Sequence, residues 1–310
     1  MIKYKCRPAI HTKLVCEYCN SIDFLLPVEF AHFKYFNDTE WVGINIITKL
    51  LNYIENNIED PYFFLNLAKY FVKRVTEFTK IDLSDDVDIA QKLIDFTMFY
   101  SQVSDLNWVT IDAGDYIGLV AKRNPIERAS KYDDLFVYLS VMQILNFHKE
   151  VNSNVIIELP FECGFYGYNV AILENVKFNC QNLSIFAKKT PGKQYDIRPL
   201  CIETITSLDR IHAAAKSMIP AELSVDTLAI ALGMSTRSLQ REVKSMGLCV
   251  KDIIKEVKAN RLKLVLKKNQ DNIKVTAYEC GFKSLAIFSR HFSNNVGCCP
   301  SEYVSRINDK

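Results

Sequence analysis

The sequence contains no uninterrupted apolar run of the roughly 20 residues that a membrane-spanning helix needs, so no span and no membrane partner are read. Glycine and proline are scarce, at 10 and 9 of 310 residues, which excludes collagen-like and low-complexity chains. The opening MIKYKCRPAIHTK lacks an apolar h-region, so no secretory signal is read. Without an export signal, the ten cysteines are expected to stay reduced in a cytoplasm. There is no Gly-rich phosphate loop and no Gly-x-Ser-x-Gly, and His11, His32, His148, His212 and His291 are scattered. No enzyme is expected, and no cofactor.

What is present is an asymmetry. The net charge is only +2, but residues from 201 onward hold 17 Lys and Arg against 11 Asp and Glu, leaving 21 against 25 before them. A basic C-terminal third joined to an acidic remainder suits a nucleic-acid module with a separate sensor. Chance alone also gives such splits. The length suggests two domains.

Residues 1–36 show no regular period, although the apolar Ile22–Phe36 stretch is expected to dock on a core. Trp41–Phe78 reads as helical, with Ile47, Leu50, Leu51, Ile54 and Ile58 on one stripe and a break at Asp60-Pro61. Asp86–Val103 is a further amphipathic helix. Asn107–Arg123 alternates around Ala-Gly-Asp and reads as a hairpin. A buried helix over Asp133–Glu150, a strand over Asn154–Phe161 and a mixed segment over Asn175–Lys189 complete an α/β (α+β) region. Thr190–Cys201 holds two prolines and a glycine and reads as the linker; beyond it the chain reads as all-α.

In that last third, Ser224 can cap a helix whose Leu228, Ala229 and Leu232 turn inward, and Gly233 stands where the chain must turn. Ser235 can cap the next helix, with Leu239 and Val243 inward at i,i+4. Its other face carries Thr236, Arg237, Gln240, Arg241 and Lys244. Arg suits guanine O6/N7, Gln suits adenine N6/N7 and Lys suits phosphate. A solvated amphipathic helix would show the same face. The arrangement recurs about fifty residues later: Ala277 and Gly281 match Ala229 and Gly233, Ser284 takes the cap, and Phe288 and Phe292 turn inward. Ser289 and Arg290 fall where Gln240 and Arg241 fell. Val250–Lys268 between the copies reads as a linking helix with Ile253, Ile254, Val257 and Leu264 inward.

The stretches SVDTLAIALGMSTRSLQREV, KANRLKLVL, AYECGFKSLAIFSRHF and GCCPSEYV resemble the DNA-binding domain of AraC/XylS-type transcription regulators over about residues 205–306. The resemblance implies two helix-turn-helix units, at about 224–246 and 273–295, around a linking helix at about 250–268. It implies recognition by Ser235, Thr236, Arg237, Gln240, Arg241 and Lys244 in the first unit. In the second it implies Ser284, Leu285, Ala286, Ser289 and Arg290. Leu285 and Ala286 depart from the polar residues often found there; apolar groups can touch thymine methyls, or leave the unit clamping backbone. Val265, Lys268 and Thr276 also depart from the usual residues.

Residues 10–190 resemble the arabinose-binding-like N-terminal domain of ornithine-regulator-like members, which implies a sensor or dimerisation role. The expected organisation is therefore an N-terminal effector-binding or dimerisation domain over 1–195, a linker over 196–204 and a DNA-binding domain over 205–310. The expected partners are double-stranded promoter DNA, RNA polymerase and a second copy of the chain, with activation as the outcome. The aromatic clusters Tyr62–Phe64, Tyr70-Phe71 and Phe161, Phe165, Tyr166, Tyr168 suit either an effector pocket or plain core.

Cys16-x-x-Cys19 near Cys6 and His11 raises a zinc or methyl-acceptor alternative, but no second Cys-x-x-Cys follows and no metal is assigned. A third reading is an interaction protein whose DNA reading has degenerated at Leu285 and Ala286.

Overall fold

The structure, a computed structural model, describes residues 6–79, 82, 84, 87–103, 107–122, 131–146, 154–197 and 205–308. His148, Cys201 and most of the expected linker lie outside them. By packing, the described residues within 1–47 and 204–310 form one unit, and those within 48–203 form another. The sequence-based boundary placed the first 47 residues with the N-terminal domain. The contacts that place them elsewhere are distant in sequence.

The unit over 48–203 combines helices with a sheet. It holds most of α3 (Ile44–Asn57), then α4 (Phe63–Thr79) and α5 (Ile89–Val103). The hairpin β3 (Asn107–Ala113) and β4 (Tyr116–Lys122) follows, then α6 (Lys131–Asn146). Strands β5 (Val155–Glu158), β6 (Val176–Lys177) and β7 (Leu183–Lys188) complete a five-stranded sheet of order β3-β4-β7-β5-β6. All neighbouring pairs are antiparallel except β5 with β6. Ile117, Leu119 and Ala121 on β4 and Leu183, Ile185 and Ala187 on β7 are buried, the period of two that packs one sheet face. Gly118 points the other way, where a Cβ would sit 2.5 Å from the Ile111 side chain.

The other unit holds two helix-turn-helix pairs and an N-terminal segment. Its C-terminal helices are α7 (Ser207–Lys216), α8 (Val225–Ala231), α9 (Thr236–Ser245), α10 (Val250–Lys268), α11 (Ile273–Glu279), α12 (Leu285–Val296) and α13 (Pro300–Asn308). The long α10 serves two cores. Val250, Ile253, Ile254 and Val257 from its first half join Ile211, Leu228, Leu239 and Val243. Leu262, Val265 and Leu266 from its second half join Ala277, Phe282, Phe288 and Phe292. Leu264, expected inward, is only partly buried. Thr276 is fully buried and its hydroxyl donates to the Asn272 carbonyl at 2.8 Å, so the departure is satisfied locally.

Among residues 6–36, regular elements form where the sequence shows no period. β1 (Cys6–Pro8) precedes α1 (Ile10–Ser21) and the short α2 (Val28–Ala31), and a 3-10 turn follows over His32–Tyr35. Trp41–Gly43, expected as helix, is instead strand β2, pairing antiparallel with β1. The expected docking of Ile22–Phe36 is seen only in its second half, where Phe30, Phe33, Tyr35 and Phe36 are buried; Ile22 and Leu25 are exposed.

Candidate nucleic-acid interface

In the first pair, Ser224 forms a capping box with Thr227, and Gly233 turns the chain at φ 66°. Ser235 then caps α9, its hydroxyl accepting from the Ser238 amide at 3.1 Å. Leu239 and Val243 are fully buried, and this fixes the rotation of the helix. Arg237, Gln240, Arg241 and Lys244 are therefore exposed, and Thr236 is half-buried. None of these side chains makes a hydrogen bond or ion pair within the described residues. The face thus carries three unneutralised cations and a free amide.

The second pair repeats the construction with a different surface. Gly281 turns at φ 81°, and Ser284 caps α12 through the Ile287 amide at 3.3 Å. Phe288 and Phe292 are fully buried; Leu285, Ala286 and Arg290 are exposed and Ser289 is half-buried. Sequence reasoning missed Ile287, 45% exposed beside Leu285 at 47%. Its place one residue before the inward Phe288 was the available signal. Tyr278 at the end of α11 is also exposed, as is Lys283 in the turn. The second face is therefore largely apolar, with Lys283 and Arg290 as its cations.

The Gly-x-x-Pro-Ser-Glu-Tyr stretch has a plain physical role. Gly297 ends α12 in the left-handed region at φ 94°, Pro300 opens α13, and Tyr303 packs edge-on against Phe292 at 5.6 Å. His291 and His212 both titrate below the usual histidine range because burial disfavours the imidazolium. For His291 the charges of Lys258 and Arg290 act in the same direction.

The other sequence-predicted groups lie apart from this surface. Cys16 and Cys19 are buried on α1, and burial pushes both thiols up, Cys19 to about 12. Such thiols are held away from the thiolate that a metal or a methyl transfer would need. Cys6 belongs to the first helix-turn-helix core, and His11 lies 3.1 Å from the Pro8 carbonyl. No group of three or more potential metal ligands gathers among the described residues. Nor is any described helix long and apolar enough to cross a membrane.

Of the aromatic clusters, Phe63, Phe71 and Tyr166 are core, while Tyr62 is exposed. Phe64 lines an open cleft of about 360 Å³ together with Glu55, Ile58, Glu59, Asp60 and Asn169. Glu55 is already held there by Lys131 at 2.6 Å and by the Tyr132 hydroxyl at 2.8 Å.

Comparison with known proteins bears on the same region. Residues 228–306 match the family model of a helix-turn-helix domain. Over 102 residues the chain is 24% identical to the TCP pilus virulence regulatory protein of Vibrio cholerae serotype O1, in strains Ogawa 395 and El Tor Inaba N16961 alike. The match takes 33% of this chain and spans 37% of the length of those relatives. Among solved structures, that of the transcriptional regulator CdpR from Pseudomonas aeruginosa aligns with 98% of this chain and 99% of its own. The identity is 14% and the TM-score 0.38. The C-terminal region of this chain, with its two capped helix pairs on one linking helix, is a helix-turn-helix domain.

Proposed function

We propose that the chain is a sequence-specific transcription regulator that activates from promoter DNA, reads it with two recognition helices, and is controlled through its N-terminal domain. The observation that carries this reading is the α9 face. Arg237, Gln240, Arg241 and Lys244 stand exposed, without partners among the described residues, on a helix fixed by Leu239 and Val243. Water alone would also solvate these groups, but the same capped helix pair recurs at α11 and α12, and major-groove edges and phosphates can take all four groups. The relatives bear the name of a regulatory protein, and regulation is the part of that name carried over here.

The second unit contributes Arg290 and Ser289 as polar contacts. Leu285 and Ala286 suit thymine methyls. RNA polymerase and a second copy of the chain complete the set of proposed partners, and residues 48–203 are the proposed seat of control. The cleft beside Phe64 has the size for a small molecule, with an acidic rim.

The test is a selection of bound sequences from a randomised duplex pool by the full-length protein. Two short boxes about 10–11 base pairs apart support reading by both helices. One box restricts base reading to α9. No enrichment at low salt overturns DNA reading by the protein on its own, in favour of an effector-dependent or an interaction-only protein.

A further inference from the structure

Each helix-turn-helix pair has its own small core, and the two cores share only opposite halves of α10. The pairs also touch directly, where the Ala221 amide donates to the Cys280 carbonyl at 3.2 Å and Ile219 approaches Gly281. A third connection crosses from one pair to the other, and it comes from the far end of the sequence.

Residues 34–43 run from the second pair to the first. At one end the Lys34 ammonium meets Glu279 at 2.7 Å, the Tyr35 hydroxyl donates to Glu279 and lies 3.0 Å from Asn269, and the Tyr35 ring enters the second core. In the middle, Phe36 covers the guanidinium of Arg261. Arg261 is buried at the point where α10 passes from the first core to the second. At the other end Glu40 pairs with Lys216 at 2.8 Å and the Gly43 amide donates to the Ser217 hydroxyl at 3.0 Å. Trp41 packs on the first core. The segment therefore has anchors in both cores and a clasp on the helix between them.

We infer that residues 34–43 are a strap that fixes the two helix-turn-helix pairs relative to each other, with Tyr35, Phe36 and Glu40 as positioning residues for DNA reading. Two reading heads held rigidly discriminate the spacing between their boxes, whereas a loosened pair tolerates several spacings. The inference concerns the same DNA-reading site and, in its DNA readout, rests on the proposed function.

The experiment uses the full-length double variant Tyr35→Phe/Glu40→Gln, which removes polar anchors at both ends and leaves the aromatic rings in place. Binding is measured to duplexes with the two selected boxes at their selected spacing and with one or two base pairs inserted, and to a duplex with the α9 box alone. Hydrogen exchange at amides 258–262 of α10 is measured without DNA. The expected variant keeps the single-box affinity of the wild type, loses about tenfold of the spacing discrimination, and exchanges faster at 258–262. A folded variant with undiminished spacing discrimination overturns the strap. If the wild type itself discriminates no spacing, the two-helix reading falls, and exchange alone decides the strap: unchanged protection at 258–262 overturns it. Should the double variant fail to fold, Glu40→Gln alone is subject to the same criteria.

Discussion

The guanidinium carbon of Arg261 stands 3.8 Å from the centroid of the Phe36 ring. The arginine is 6% exposed, and its Nη1 has no hydrogen-bond partner among the described residues. Burial holds its pKa down to about 10, with the Glu40 carboxylate acting the other way. A buried cation without a bonded carboxylate depends on the aromatic face beside it, which is worth about 2 kcal/mol when desolvated.

Phe36→Leu keeps an apolar group but removes that face, leaving the charge buried and uncompensated. Arg261→Met removes the charge together with its desolvation penalty, a change that is often close to neutral. Phe36→Leu is therefore expected to destabilise by more than Arg261→Met, and the double variant to recover about 1–2 kcal/mol of the sum. Urea unfolding of the four proteins measures the coupling. Strict additivity would mean that the ring and the cation are merely neighbours.

The two turn glycines separate backbone strain from crowding. Gly233 and Gly281 both lie in the left-handed region, at φ 66° and 81°. An alanine at either position bears the same strain, about 1–2 kcal/mol. A Cβ at Gly233 meets nothing within 4 Å, but at Gly281 it lands 2.6 Å from Ile219 Cδ1. Gly281→Ala is expected to cost more than Gly233→Ala, by about 1–3 kcal/mol for overpacking. Thermal unfolding of both variants, and of Gly281→Ala with Ile219→Val, tests this. Relief by the second substitution identifies crowding as the cause.

The helix-turn-helix pairs were legible in the sequence because every signal in them is local. Ser235 and Ser284 cap within three residues, Gly233 and Gly281 turn in place, and the inward pairs sit at i,i+4. Helix α1 was not legible because its buried face includes His11 and Thr12, which break the apolar stripe. Strand β2 is three residues long and takes its partner from Cys6–Pro8, more than thirty residues earlier. The strap depends on pairs such as Lys34 with Glu279 and Glu40 with Lys216, which no periodicity reveals. The apolar character of the α12 surface was half-legible: Leu285 and Ala286 were read from the family pattern, while Ile287 required the helix rotation that Phe288 imposes.

Two buried histidines set an acid limit on stability. His11 and His32 are both held neutral, at about 3, chiefly by burial, with the charges of Arg7 and Arg261 respectively acting in the same direction. Unfolded, each titrates at its ordinary value near 6.5. As pH falls below that value the unfolded chain binds protons that the folded chain refuses. Stability present above about pH 6.5 is therefore lost progressively down to about pH 3. Each histidine contributes a slope of about 1.4 kcal/mol per pH unit within the window. His32→Leu is expected to remove one such slope between pH 4 and about 6. Urea midpoints across that range measure it, and an unchanged slope would show that His32 is not neutral in the folded protein.

The exposed faces of α9 and α12 make different predictions for DNA binding. Arg237→Ala and Arg241→Ala each remove a fork donor suited to guanine, so each is expected to cost about 1–3 kcal/mol on the selected sequence. Each should also relax preference at one base position. Lys244→Ala removes a compact charge suited to phosphate. It should weaken binding equally on all sequences and reduce the salt slope by about one. On α12 the cations are few, and Leu285 and Ile287 lie exposed beside them. Leu285→Ala should therefore leave the salt slope unchanged, because it releases no counterion. Its loss should be confined to sequences with thymine at one position of the second box. The measurement is affinity against salt for each variant on the selected duplex and on one with the second box scrambled. Were Leu285→Ala to bind both duplexes as the wild type does, thymine contact by this side chain would be excluded, and Ala286, Ser289 and Arg290 would remain as the candidates for base reading in the second unit.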